Sequence, residues 1–185
     1  YLNLPEVKSL EGFLFPDTYY ISKEATNEQI IKMFLDRFSE VYEEQQLESK
    51  IQESGLNINE FITLASIVER EAVKKEERPI IAGIFYNRLS IQMPLQSCAT
   101  VQYILKERKP VLSIADTKID SPYNTYLIKG LPPAPIASPG LDAILATSNP
   151  QQTNFLYFVA KGDGGHEFSE TYEQHLQAKK KYLGE

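Results

Sequence analysis

A single glutamate, Glu69, stands out as a residue suited to acid–base chemistry. It lies in the segment 61–72 (FITLASIVEREA), whose apolar residues recur with helical spacing. Residues three and four positions away share its helix face, and these include the small residues Ala65, Ser66 and Ala72. Burial among such neighbours raises a carboxyl pKa and keeps the group protonated near neutral pH, as a general acid requires. The spacing therefore predicts Glu69 as a general acid; a boundary glutamate that reaches solvent or pairs with an arginine is the alternative.

Other carboxylates are weaker candidates. Helical spacing turns Arg70 and Glu71 away from the Glu69 face. Glu11 and Asp17 flank an aromatic segment and could supply the second carboxylate of a two-carboxylate glycosidase. Asp17 also fits a turn cap, so its spacing does not decide between the two interpretations.

Histidine, cysteine and glycine patterns favour no other chemistry. His166 and His175 are nine positions apart, which is not a recognised spacing of metal ligands, and we expect His166 to be structural. Cys98 has no histidine near it in sequence to act as its base. The glycine-rich segment 162–165 precedes a predicted strand instead of opening a helix, which disfavours phosphate binding. The sequence thus predicts neither a metal nor a cofactor.

Tyrosines and amide side chains cluster near the predicted loops. A sugar chain offers C–H faces for stacking and hydroxyl groups for hydrogen bonds, so this combination suits a glycan. Core packing explains each tyrosine equally well when it is taken alone. The side chains concerned are Tyr86, Tyr103, Tyr123, Tyr126, Asn87, Gln96 and Asn124.

Helix signals bracket the Glu69 segment. Thr26 with Gln29 three residues on is a capping box, and it starts a helix, or a pair of helices, that ends at Gly55. Asn57 with Glu60 begins the helix that carries Glu69.

The second half of the chain alternates short elements with a long loop. Proline, glycine and strand-forming residues set the expected boundaries. Segment 121–140 is proline-rich but carries apolar residues, which indicates a rigid packed loop and disfavours a linker. The remaining expected elements are a helix with Pro79 as its first residue that ends before Pro94, a short helix over 100–105, a helix capped by Ser138–Pro139 that ends at Asn149–Pro150, strands at 18–21, 155–160 and 166–168, and a last helix with Tyr172, Leu176 and Leu183 on one face.

Composition narrows the class of protein. The chain has 185 residues, enough for one domain, and a net charge of −6, which argues against a nucleic-acid or anionic-membrane surface. Its one cysteine excludes an internal disulfide. The longest nearly apolar run, 61–68, is far short of the ~20 residues of a membrane span. Because the chain begins at Tyr1, we expect a piece of a longer protein.

Taken together, the motifs resemble those of one family, the YceG-like (MltG) endolytic murein transglycosylases. The resemblance covers nearly the whole chain in order. The matching stretches are EGFLFPDTYY (11–20), LASIVEREA (64–72), IFYNRL (84–89), MPLQ with Thr100, Val101 and Tyr103, the SPYNTY, GLPPAPI and PG motifs of 121–140, and LYFVAKGDGGHEFSETYEQH (156–175).

The resemblance implies an α+β fold, with a helical, lysozyme-like catalytic core and a small antiparallel sheet, as a single catalytic domain over 1–185. It implies a cell-wall enzyme of bacteria whose N-terminal membrane anchor and LysM-like region are absent from this chain, with its catalytic domain outside the cytoplasmic membrane. Such enzymes cleave nascent peptidoglycan strands between N-acetylmuramic acid and N-acetylglucosamine without water, leave 1,6-anhydro ends and terminate elongation. Peptidoglycan strands, and glycan polymerases as further partners, are the implied ligands.

The resemblance also assigns residues. It makes Glu69 the catalytic acid and then base, because the nucleophile is the substrate's own 6-hydroxyl and no second carboxylate is needed. One departure is Cys98, which stands where the family usually has an aspartate. A binding module without activity, or a hydrolytic muramidase that uses Glu69 with Asp17 or Glu11, stays open at this point. The side chains expected to line the glycan groove are Gln96, Asn87, Tyr123, Asn124, Tyr126, Thr100 and Ser66.

Overall fold

Side-chain caps determine where the first helices begin. The structure is a computed structural model that describes residues 9–107, 109 and 111–184. Helix α1 (Asn27–Glu44) begins at a reciprocal capping box between Thr26 and Gln29. Helix α2 (Leu47–Ser54) ends at Gly55, whose φ of 73° is left-handed. The paired helices that end at Gly55 are therefore confirmed, whereas the outer residues of the predicted domain 1–185 lie outside the described ranges.

Helix α3 carries the candidate glutamate and forms the centre of the core. It spans Ile58–Glu71 and starts, as predicted, at a capping box between Asn57 and Glu60. Residues 61–68 are all buried, including Thr63 and Ser66. A helix that is buried all round must be enclosed by other elements. Helix α3 packs against three later helices, α4 (Arg78–Ser90), α5 (Cys98–Leu105) and α6 (Leu141–Ser148).

Pro79 lies in the first turn of α4, where its missing N–H costs no hydrogen bond. In sequence order, the elements after α3 are a 3-10 turn at Lys75–Glu77, α4 (Arg78–Ser90), α5 (Cys98–Leu105), a 3-10 turn at Asp116–Lys118, α6 (Leu141–Ser148), β1 (Tyr157–Ala160), β2 (His166–Ser169) and α7 (Tyr172–Leu183).

The entry segment before α1 packs on the core through phenylalanine rings. Phe13 is fully buried and meets Phe38 of α1 edge to face, with 5.4 Å between ring centroids. Phe15 is also buried. The strand predicted at 18–21 is wrong, because Tyr20 is 95% exposed and the segment pairs with no strand among the described residues. Aromatic and β-branched residues favour a strand only where a neighbouring edge can accept the hydrogen bonds.

Segment 121–140 is the packed loop that the sequence predicts. The buried Asn124 donates to the carbonyl oxygens of Thr117 (3.1 Å) and Ile119 (2.8 Å). At the other end of the loop, the N–H of Ile136 donates to the buried hydroxyl of Ser66 at 3.0 Å. The loop is therefore fixed to the helical core and forms part of it.

A β-hairpin and α7 complete the fold. Strands β1 and β2 pair antiparallel, with Tyr157 opposite Ser169 and Ala160 opposite His166. Helix α7 packs against β1 and β2. Its Ala178 is buried, whereas Leu176 and Leu183 are exposed. The α+β class, with a helical core and a small antiparallel sheet, is confirmed. No helix within the described residues has the length and apolar character to cross a membrane.

Candidate active site

The last turn of α3 presents three consecutive side chains to three different surroundings. Successive residues of a helix point about 100° apart, so Glu69, Arg70 and Glu71 cannot share one face. Glu69 faces the starts of α4 and α6, Arg70 lines one cavity, and Glu71 lines another. The chemistry available to each residue therefore depends on the element opposite it.

Glu69 is held by an ion pair and a backbone N–H. Its Oε1 accepts from the Arg78 guanidinium at 2.8 Å, and its Oε2 accepts from the N–H of Gly140 at 3.2 Å. The Arg78 side chain is 10% exposed. Glu69 therefore has an ion-pair partner that sequence spacing along α3 cannot indicate, because the cation comes from the start of α4. The alternative interpretation, a boundary glutamate paired with an arginine, describes this geometry.

Glu71 opens on a cavity of about 380 Å³ between α5, the hairpin and α7. Its Oε1 accepts from the Ser97 hydroxyl and from the N–H of Ala99 at 3.2 Å, at the start of α5. Both of these hydrogen bonds end on Oε1. We call this space the Glu71 cavity; its lining includes Glu71, Arg88, Gln96, Cys98, Tyr126 and Tyr157.

Buried polar groups set the walls of the Glu71 cavity. Arg88 is 5% exposed and donates to the carbonyl oxygens of Leu95 (2.6 Å) and Leu156 (2.7 Å), which ties the segment before α5 to the hairpin. Burial raises the pKa of Tyr126, and the neighbouring Cys98 and Glu71 raise it further. The Tyr126 phenol therefore stays neutral and can act as a hydrogen-bond donor at any physiological pH.

The structure separates the predicted groove residues into three groups. Gln96 and Tyr126 line the Glu71 cavity, and Gln96, in the segment just before α5, has a left-handed φ of 48°. Tyr123 lines the second cavity. The other predicted side chains are engaged within the protein.

Four of the predicted groove residues are buried or hydrogen-bonded within the protein, and their contact with a glycan stays a prediction. Ser66, Thr100 and Asn124 are fully buried and support the walls from inside. Thr100 bonds to the Ser97 carbonyl at 2.8 Å. Asn87 donates to the carbonyl oxygens of Thr153 (2.8 Å) and Phe155 (3.0 Å), which anchors the segment before β1. From the sequence, a polar side chain near a predicted loop looks the same whether its hydrogen bonds go to a ligand or to the protein backbone.

Sequence reasoning missed Glu71, Arg88 and Tyr157 as cavity residues. The available signal was the start of α5 at Ser97, because the first N–H groups of a helix need an acceptor such as a carboxylate. Nothing in the sequence identifies Glu71 as that acceptor.

The histidines lie at the hairpin. His166 Nδ1 is 2.7 Å from Glu77 Oε2, and its backbone N–H donates to Glu77 Oε1 at 3.0 Å. His166 also lines the Glu71 cavity, while the His175 ring stacks on Tyr157 at 5.3 Å. Across the described ranges, no three histidine, cysteine or acidic residues are grouped as metal ligands.

Alkylation of Cys98 is a test of where the cavity lies. Cys98 is the chain's one cysteine, is exposed, and has its Sγ 3.1 Å from the Tyr126 hydroxyl. Although the residue is exposed, partial burial of its thiol raises the pKa, so less thiolate is present at neutral pH than in a free cysteine. N-ethylmaleimide should therefore react slowly, and the reaction should become faster as the pH rises. The adduct should then reduce activity, as followed by mass spectrometry and turnover. The Cys98→Ser variant is the control; full activity after complete labelling would place the working cavity elsewhere.

Fold and site together define a helical α+β domain with a carboxylate-bearing, tyrosine- and amide-lined cavity at the end of its central helix. Residues 2–181 match the YceG-like family, and the chain belongs to that family. Among curated relatives it is 41% identical over 175 residues to an endolytic murein transglycosylase of Bacillus subtilis, covering 94% of this chain. It is 44% identical over 159 residues to one of Streptococcus pneumoniae strain R6, covering 82% of this chain.

A solved structure agrees with these relatives. The crystal structure of a YceG-like protein of Listeria monocytogenes superposes with a TM-score of 0.84 at 36% identity, covering 91% of this chain and 55% of that one. The chain spans 48% of the Bacillus relative and 28% of the streptococcal one. The relatives are therefore considerably longer proteins.

Proposed function

We propose that this chain is a lytic transglycosylase that cuts within peptidoglycan glycan strands. The observation that carries the proposal is the Glu71 cavity, which combines a carboxyl group, an amide and a neutral phenol in a chain 41% identical to an endolytic murein transglycosylase. Amides and phenols suit the hydroxyl groups and ring faces of sugars, and a carboxyl suits proton transfer at the glycosidic bond.

The reaction needs one carboxyl group in two roles. The protonated acid gives its proton to the glycosidic oxygen as the bond from the muramic anomeric carbon to that oxygen breaks. The resulting carboxylate takes the proton of the muramic 6-hydroxyl as this oxygen attacks the anomeric carbon and closes a 1,6-anhydro ring. The net proton transfer runs from the 6-hydroxyl to the leaving oxygen, and no water is consumed.

Two glutamates of α3 compete for that role. Glu69 is the residue that the helical spacing and the family motif single out, but both its oxygens are engaged, one by a guanidinium. Glu71 accepts from Ser97 and Ala99 through Oε1 and lines the cavity that also holds Gln96 and Tyr126. Its place in that cavity favours Glu71, and the assignment of Glu69 stays a prediction that paired variants separate.

A hydrolytic muramidase is less well supported. Its second carboxylate would be Asp17 or Glu11, about 5–9.5 Å from the first across a cleft. Asp17 is instead paired with Arg37 at 2.8 Å, and Glu11 accepts from the Tyr103 hydroxyl at 2.7 Å. Neither lines the Glu71 cavity.

Digestion of purified peptidoglycan tests the proposed reaction. The folded chain should release products that end in 1,6-anhydro-muramic acid, which mass spectra show as lighter than reducing ends by the mass of one water molecule. Lysozyme digestion provides the reducing-end reference. Reducing ends alone would show hydrolysis, and binding without cleavage would show a binding module.

We further propose that the parent protein is anchored in the bacterial cytoplasmic membrane and holds this domain outside it, next to newly made strands. The relatives are longer than this chain, which leaves room for such an anchor. Glycan polymerases that make those strands are then the expected protein partners.

A further inference from the structure

A second cavity, which we call the Arg70 cavity, lies next to the Glu71 cavity. Its volume is about 510 Å³, and its lining comes from the end of α3, from α5 and from the loop 121–140. Ala99 lines this cavity, whereas the preceding residue Cys98 lines the Glu71 cavity. The first turn of α5 therefore stands between the two spaces. The lining of the Arg70 cavity includes Arg70, Ala99, Tyr103, Lys106, Glu107 and Tyr123.

Two fixed aromatic rings form one wall of the Arg70 cavity. The rings of Tyr103 and Tyr123 lie 5.0 Å apart at a 40° tilt. The Tyr103 hydroxyl donates to Glu11 at 2.7 Å, and this hydrogen bond raises its pKa to about 12. The phenol is therefore neutral and its ring is held in one place, ready to contact the apolar part of a ligand.

Two cations in the Arg70 cavity have no partner among the described residues. Arg70 and Lys106 form no ion pair and no side-chain hydrogen bond there. The carboxylates nearby are the exposed Glu107 in the same lining and Glu11, which the Tyr103 hydroxyl holds at 2.7 Å. By contrast, Arg37, Arg78 and Arg88 are all engaged by carboxylates or carbonyl oxygens. In a chain of net charge −6, two unpaired cations beside an aromatic wall form a local site for an anion.

We propose that the Arg70 cavity binds the carboxylates of the peptide stem that a muramic residue carries, an inference that rests on the proposed function. The sugar backbone of the strand is uncharged, whereas its peptide branches end in carboxylates, which guanidinium and ammonium groups bind by charge-assisted hydrogen bonds. The two cavities lie on either side of the first turn of α5, so a strand in the Glu71 cavity can place its branch in the Arg70 cavity. A further sugar ring would use the tyrosines but not the cations.

Titration with the free stem peptide tests this without any cleavage. The probe is L-alanyl-γ-D-glutamyl-L-lysyl-D-alanine, followed by NMR of the folded chain. Saturable shifts are expected at the amides of Ala99, Tyr103 and Tyr123. The Arg70→Gln, Lys106→Gln double variant should bind about tenfold more weakly or worse, and the exposed Lys23→Gln variant should bind as the unaltered chain does. Absent shifts, or equal affinity of the double variant, would overturn the inference.

Cleavage assays separate this inference from the proposed function. Strands that keep their stems and strands stripped by an amidase serve as the two substrates. The unaltered chain should prefer stem-bearing strands about tenfold in kcat/KM, and the double variant should lose that preference while still producing anhydro ends. A chain that makes no anhydro ends on either substrate refutes the proposed function, and the peptide titration still decides the role of the Arg70 cavity. Anhydro ends with no stem preference refute the inference alone.

Discussion

Replacing Glu71 with glutamine is expected to lower strand cleavage by a factor of about 100 to 10,000 while the fold is retained. The glutamine Oε1 can still accept from Ser97 and Ala99, so the start of α5 keeps its hydrogen bonds. The amide that replaces Oε2 can neither deliver a proton nor take one up at the glycosidic bond. Release of anhydro-muramic products measures the loss, and circular dichroism checks the fold.

Glu69→Gln is the matched control, because the same substitution two residues earlier acts on a different set of contacts. It removes the charge that Arg78 faces at 2.8 Å and leaves that guanidinium with Asp142 at 3.9 Å. Glu69 is partly exposed, so we expect a loss of about 1–2 kcal/mol in unfolding free energy and only a moderate change in rate. If instead Glu69→Gln is inactive but stable and Glu71→Gln stays active, the catalytic acid is Glu69.

Arg88→Met should have the largest effect on stability. The guanidinium is 5% exposed and donates to the carbonyl oxygens of Leu95 and Leu156, which lie in two different segments. Methionine fills much of the volume but leaves both acceptors without their donor, at about 1–3 kcal/mol each. We expect the free energy of unfolding in urea to fall by about 2–5 kcal/mol, and cleavage to fall with it because Gln96 and Tyr157 follow these anchored residues.

An exposed arginine provides the comparison for Arg88. Arg37 pairs with Asp17 and Glu40 on the surface, where such pairs contribute about 0–1 kcal/mol. Arg37→Met should therefore change the urea midpoint only slightly. Equal effects of the two substitutions would mean that the carbonyl oxygens near Arg88 find water, and that the arginine does not hold the cavity walls.

Much of the helical framework could be predicted because its determinants are local. The reciprocal caps at Thr26 and Asn57 each use a side chain three residues away, and both helices begin where the caps place them. The hairpin around 162–165 is also encoded within a few residues. The predicted strand at 18–21 failed for the opposite reason, since a strand requires a partner that local composition does not supply.

The groove predictions depended on information that local pattern does not contain. Asn124 and Gln96 both carry amide side chains near predicted loops, yet Asn124 is buried against backbone carbonyls and Gln96 lies at the cavity. Hydrogen-bond capacity is the same in both settings. Which backbone groups need a donor becomes known only when the loop folds onto the core.

By itself, the sequence determined the family, the α+β class and the positions of the helices, because capping, periodicity and extended motifs are properties of neighbouring residues. It also placed a glutamate pair at the end of a buried helix. Only the tertiary structure decided which side chain or cavity Glu69, Arg70 and Glu71 each face. Helical geometry sets the 100° between them, but the rotation of α3 against α4, α5 and α6 is set by packing. Because of that rotation, Glu69 pairs with Arg78, Arg70 lines one cavity and Glu71 lines the other.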